Sequence, residues 1–290
     1  MSVPFTGIIP PVLTPFTADE EIDLPKFRKD VAFMQSVGVH GLGVAGSTGE
    51  GAVLSPDEVG ELVRVTRKET GGKLPVIAGV IADSVREALV IGREAKEAGA
   101  DGFLITPVYY NGATEEGNYS YYEVLTEELG LPTIVYNVVA TNQISASLMA
   151  RIIKLPNVIG IKQVAADTIG DMVRACGKHG GVYSACDNML YPTYVAGALG
   201  TIAAIATVAP APCVEQWEAG QKADHKTAGR IHDLLGPIVA SYLQRPFPGK
   251  VKYACELQGR PMGAARRPTT GPSEVEAEAI RSSLKAAGLL

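Results

Sequence analysis

A chain of 290 residues with 46% hydrophobic composition is long enough to close one large core, and α/β barrels commonly reach this length as one domain. Its formal net charge of -5 and the lack of any basic cluster beyond Arg266-Arg267 argue against a nucleic-acid partner. The N-terminal stretch MSVPFTGIIPPVLTPF has no basic flank and is broken by four prolines, so neither a signal peptide nor a membrane span is expected, and the protein reads as cytoplasmic. Cys176, Cys186, Cys213 and Cys255 form no C-x-x-C pair, and His40, His179, His225 and His232 show no ligand spacing; neither a disulfide framework nor a metal is expected.

Taken in chain order, short branched apolar runs recur at 7–16, 41–46, 74–80, 100–107, 131–137, 157–163, 181–187 and 199–209. Each is separated from the next by an amphipathic stretch. Runs apolar without alternation suit strands buried on both faces, and the intervening helical patterns supply the crossovers of a parallel sheet. Eight such units predict a TIM (β/α)8 barrel over 1–210, ahead of an open doubly wound sheet. From 211 to 290 only helical patterns remain, including 224–244 and a last helix opened by Pro272-Ser273-Glu274. Loop signals stand at Pro246-Phe247-Pro248-Gly249 and Arg267-Pro268. This predicts the last barrel helix and a helical C-terminal extension.

The second run, GLGVAG at 41–46, matches the G-x-G-x-x-G dinucleotide pattern. That pattern requires a preceding strand and a helix opening on its last glycine. Upstream, however, Phe27, Val31, Phe33, Met34 and Val37 share one helical face, and downstream the helix starts only at the capping box Ser55-Pro56-Asp57-Glu58. GLGVAG is therefore expected to be a strand, with Ser47-Thr48-Gly49-Glu50-Gly51 the loop leaving its C-terminal end. No nucleotide cofactor is expected.

In such a barrel the chemistry sits at the C-terminal ends of the strands. The polar residues finishing the runs are Ser47 and Thr48, Tyr109 and Tyr110, Tyr136 and Asn137, and Lys162. A lysine closing Val158-Ile159-Gly160-Ile161 is expected to point into a dry mouth, where desolvation disfavours the ammonium form. A neutral amine attacks a ketone, and the resulting imine is an electron sink for a neighbouring carbanion. A structural ion pair is the competing role for that lysine. Tyr136 can relay the protons of imine formation, or simply pack with a satisfied hydroxyl. Ser47-Thr48, following Gly46, offers hydroxyls and crowded amides to a carboxylate, or is a plain polar turn.

Together, Gly46-Ser47-Thr48-Gly49-Glu50, Tyr136-Asn137-Val138 and Gly160-Ile161-Lys162 resemble the motifs of the dihydrodipicolinate synthase/N-acetylneuraminate lyase family of Schiff-base aldolases, in the family's order and over nearly the whole chain. The resemblance implies that the loop with Gly46, Ser47 and Thr48 holds the carboxylate of pyruvate or another 2-keto acid. It implies that Lys162 forms the imine and that Tyr136 shuttles protons, with Tyr110 and Thr48 as further catalytic candidates. Tyr109, Thr141 and Ile202 join the substrate-binding candidates. Tyr110 resembles the tyrosine that reaches a neighbouring subunit, which implies a homo-oligomer, a tetramer built as a dimer of dimers. Three departures stand out. Val108 is an apparent insertion before the tyrosine pair; the position of the arginine that binds a second carboxylate is Thr141; and the sugar-binding Asp-Glu becomes Cys186-Asp187-Asn188. Losing a buried charged contact costs about 2–5 kcal/mol for a dicarboxylate ligand, so the expectation leans away from a true dihydrodipicolinate synthase, and a sialic acid substrate is not supported either. Val139, Val164, Ala165, Ala185, Ala203 and Ala204 suggest a less charged acceptor. The expectation is a reversible pyruvate-type aldolase. Dehydration or deamination of a 2-keto-3-deoxy acid on the same imine, and a non-catalytic keto-acid-binding barrel, are the alternatives.

Overall fold

The computed structural model describes residues 4–290. Eight parallel strands lie in the order β1-β8-β7-β6-β5-β4-β3-β2: β1 Gly7–Ile8, β2 Leu42–Val44, β3 Val76–Val80, β4 Gly102–Ile105, β5 Thr133–Asn137, β6 Val158–Gln163, β7 Gly181–Ser184 and β8 Gly200–Thr201. β1 and β2 meet across the seam through a parallel bridge between Pro11 and Gly43. There Gly43 N donates to Pro10 O at 2.9 Å and Val12 N to Gly43 O at 2.8 Å, which closes the barrel. The helices between the strands are α1 Leu24–Val37, α2 Pro56–Thr70, α3 Val85–Glu97, α4 Glu115–Leu129, α5 Ala146–Ile152, α6 Ile169–Cys176 and α7 Leu190–Val195. After β8 come α8 Ile205–Val208, α9 Pro210–Gln221, α10 His225–Tyr242, α11 Phe247–Leu257 and α12 Glu274–Ala286. None of the described helices is long and apolar enough to cross a membrane.

The barrel expected from the eight runs is the observed one, but two runs are shorter as strands than their apolar lengths suggested. Pro10 and Pro11 carry no N–H, so the regular ladder of β1 stops at Ile8. In the run 199–209 only Gly200–Thr201 is strand; Ile205 N donates to Asp187 Oδ1 at 2.6 Å and the chain turns into α8. The segment Pro246-Gly249, read as a loop, is instead the start of α11, with Pro246 at its N-cap. The capping boxes at Ser55/Glu58 and Ser273/Glu276 form as expected, with Glu58 N donating to Ser55 Oγ at 3.3 Å and Ser55 N to Glu58 Oε2 at 2.7 Å.

Three apolar clusters fill the molecule. Phe5, Ile9, Ile77, Leu104, Ile134, Tyr136, Tyr183 and Ile202 plug the barrel interior. A second cluster joins the outside of the sheet to α1–α6, and a third joins α8 and α9 to α10–α12. The C-terminal helices are thus welded to the β8 side of the barrel, which places the α10–α11 corner near the strand ends.

Candidate active site

The site begins with the parallel register of β5 and β6, which pairs Tyr136 with Lys162 and Asn137 with Gln163. Side chains alternate along a strand, so the first pair faces the barrel interior and the second faces out. On the outer face Asn137 Nδ2 donates to Gln163 Oε1 at 2.8 Å and to Ile144 O at 3.0 Å, while Ile144 N donates to Asn137 Oδ1 at 2.8 Å. This buried lattice fixes the two strand ends. On the inner face Lys162 Nζ lies 3.7 Å from the centre of the Tyr136 ring. Lys162 is 4% exposed, and among the described residues it forms neither an ion pair nor a hydrogen bond. Its amine instead lines a cavity of about 300 Å³ shared with Ser47, Thr48, Tyr136, Asp187 and Ile202.

The loop after β2 brings the hydroxyls. Ala45 adopts φ 56°, turning the chain out of the strand, and its carbonyl oxygen is approached by the backbones of Gly51 and Gly79. A Cβ at those two positions would stand 1.8 Å and 2.2 Å from that oxygen, so only glycine fits. Thr14 Oγ1 donates to Gly49 O at 2.6 Å and presses the loop onto the segment after β1. Tyr136 OH then donates to Ser47 Oγ at 3.1 Å. Thr48 stands next to Ser47 in the same cavity, at 5% exposure. The amides of Thr48 and Gly49 donate to no protein acceptor among the described residues, and Thr48 lines the cavity.

Ser47, Thr48, Tyr136, Lys162 and Ile202 are brought together around one cavity, and Gly46, which precedes Ser47, does not line it. Tyr109 lines a neighbouring cavity of about 280 Å³ that shares Ser47 and Val138 with the first. Tyr110 is 81% exposed; it and Tyr109 are anchored through their amides, which donate to Asp83 Oδ1 at 2.9 Å and 2.6 Å. Thr141 is exposed in the turn after β5 and lines neither cavity.

Asp187 and Glu50 stand in motifs already quoted from the sequence, but their partners and the outer wall of the cavity were not legible there. Asp187 Oδ1 accepts from Ile205 N and, at 2.8 Å, from Tyr242 OH of α10. Burial pushes this carboxyl above the usual range, opposed by Tyr242, the Ile205 amide and the charge of Lys162. Leu243 and Phe247, from the α10–α11 corner, close the outer wall of the cavity. Glu50, at φ 61° in the hydroxyl loop, pairs with Lys252 of α11 at 2.6 Å and accepts from Arg266 N at 2.9 Å. Nothing local in the sequence marks these partners, which are set by how the extension packs. Cys186 also reaches the cavity, but burial raises its thiol to about 11, so it is not a nucleophile at neutral pH.

A (β/α)8 barrel that holds an unpaired buried lysine at its strand ends, against a tyrosine bonded to a hydroxyl loop, has the construction of an imine-forming enzyme. The model of the Dihydrodipicolinate synthetase family matches residues 4–287. The chain is 36% identical over 289 residues to the 4-hydroxy-tetrahydrodipicolinate synthase of Methanospirillum hungatei, covering 97% of this chain and 98% of that one. The crystal structure of dihydrodipicolinate synthase from Thermotoga maritima superimposes with a TM-score of 0.94 at 32% identity, covering 99% of both chains. A chloride-inhibited dihydrodipicolinate synthase from Acinetobacter baumannii, complexed with pyruvate, gives 0.94 at 29% identity, with 99% and 100% coverage. This chain belongs to the dihydrodipicolinate synthetase family.

Proposed function

We propose that the protein is a class I lyase that uses pyruvate or a closely related 2-keto acid, forming and cleaving a carbon–carbon bond through an imine on Lys162. The observation that carries this reading is the isolation of the Lys162 amine: buried, without a carboxylate in ion-pair contact among the described residues, and set against the Tyr136–Ser47 hydrogen bond. The Lys162 amine, having given up its proton, adds to C2 of the keto acid, and the carbinolamine loses water as Tyr136 delivers a proton to the departing oxygen. The Ser47-Thr48 loop, with its amides and hydroxyls, receives the keto-acid carboxylate. The imine then acidifies C3; loss of a C3 proton gives an enamine, whose electron pair attacks an aldehyde carbon while the aldehyde oxygen takes up a proton. Hydrolysis returns the amine. Membership of the family and the pyruvate complex of the Acinetobacter baumannii relative support the choice of keto acid.

Tyr110, exposed and anchored through Asp83, is suited to meet a second copy of the chain, and we read the functional unit as a homo-oligomer, a tetramer in the simplest case. The protein is read as acting in the cytoplasm. Loss of the C3 proton signal of pyruvate in D2O, followed by NMR, tests the central step: enzyme-dependent exchange is expected, and its absence with Lys162 intact leaves only a binding role.

A further inference from the structure

Among the described residues, the two cavities that meet at Ser47 and Val138 are lined by one cationic side chain, Lys162, and the imine consumes it. Each cavity also carries a carboxylate, Asp187 in the first and Glu50 in the second. Arg245, on the same corner, is exposed and lines neither cavity, so a second carboxylate on the incoming aldehyde would lose its hydration with no lining cation to replace it, which is unfavourable. Apart from the neutral side chains of Asn188 and Cys186, the remaining distal wall is apolar: Val138, Val164, Ala203 and Ala204 from the barrel, Leu243 and Phe247 from the extension. Leu243 is 41% exposed at the rim, a large apolar side chain left facing the opening.

The corner bearing Leu243 is held in place. Tyr242, its immediate neighbour, is fully buried and donates to Asp187 Oδ1, the same oxygen that accepts from Ile205 N. Four residues on, Phe247 opens α11, and Lys252 of that helix is pinned to Glu50. The extension is thereby bonded to both loops that flank the amine, and Leu243 and Phe247 form a fixed wall. A cavity of about 300 Å³ is at the small end for ligand sites, with room for a keto acid and a short acceptor.

We infer that the α10–α11 corner is the specificity wall of this enzyme and that its acceptor is a short, uncharged aldehyde with an apolar tail lying against Leu243 and Phe247. This inference rests on the imine reading above, and the experiment separates the two. Butanal and succinic semialdehyde share their chain length and differ in methyl against carboxylate. Pyruvate consumption with each is measured alongside borohydride trapping of pyruvate on Lys162. The expected result is trapping together with a kcat/KM for butanal at least about tenfold above that for succinic semialdehyde. The variant Leu243→Arg is expected to shift that ratio at least about tenfold towards the carboxylated aldehyde. Trapping with an equal or greater rate for succinic semialdehyde, trapping with no consumption of either aldehyde, or an unchanged ratio in the folded Leu243→Arg protein overturns the inference alone. Absence of trapping overturns the imine reading beneath it.

Discussion

Two lysines of this chain are almost equally buried and have opposite surroundings. Lys252, 2% exposed, touches the Glu50 carboxylate at 2.6 Å, donates to Ala264 O at 2.9 Å and lies 4.3 Å from the centre of the Phe16 ring. Burial lowers its pKa, and the Glu50 charge works against that shift. Lys162, 4% exposed, has an aromatic face and a cavity, and no carboxylate within ion-pair distance among the described residues. Burial by itself therefore does not make an amine a nucleophile. What separates the position proposed to form the imine from the structural one is the lack of a carboxylate in ion-pair contact among the described residues, together with a cavity beside it.

The largest effect is expected at Lys162. Lys162→Ala is expected to lower kcat by a factor on the order of 10³ or more, as loss of a covalent nucleophile does, with the fold intact by circular dichroism. Lys252→Met should do the reverse. It leaves Glu50 buried and uncompensated, costing about 3–5 kcal/mol in denaturant unfolding, yet pyruvate should still be trapped on Lys162. The buried Arg260–Asp30 pair, 2.9 Å apart, is a second structural case, and Arg260→Met is expected to cost a similar 3–5 kcal/mol. Tyr136→Phe removes the hydroxyl and keeps the ring beneath the amine; kcat is expected to fall about 10²-fold, the lower range for a lost proton relay.

The smallest effects sharpen the contrast at the far end of the barrel. His40 Nδ1 accepts from Ile8 N at 3.1 Å, and burial lowers its pKa from 6.5. A histidine whose folded value is depressed contributes its full stability above pH 6.5 and loses it as pH falls below that point, because the unfolded chain then binds the proton first. The melting temperature is expected to decline from pH 7 to pH 5 with a component absent from His40→Gln.

How much of this was legible in the sequence follows the range of the forces involved. Strand ends and caps are local: Tyr136, Lys162 and the Ser55-Glu58 box are fixed by patterns within a few residues, and each occupies its expected place. The ring of apolar runs likewise announced the barrel. The excess length read into the first and eighth strands had physical causes, the missing N–H groups of Pro10 and Pro11 and the capture of Ile205 N by Asp187, a residue 18 positions away. Tyr242, Leu243, Phe247 and Lys252 were illegible as site residues because they are brought to the strand ends only by the packing of α10 and α11, and no periodicity records that. Thr141, taken as a binding candidate from aligned motifs, lies in an exposed turn outside both cavities.

The most direct test of the contrast between the two lysines is reduction with borohydride in the presence of pyruvate, followed by intact and peptide mass spectrometry. A single reduced pyruvyl group on the peptide containing Lys162, with the Lys252 peptide unmodified, is the predicted result. An unmodified protein, or modification spread across surface lysines with Lys162 spared, would contradict it.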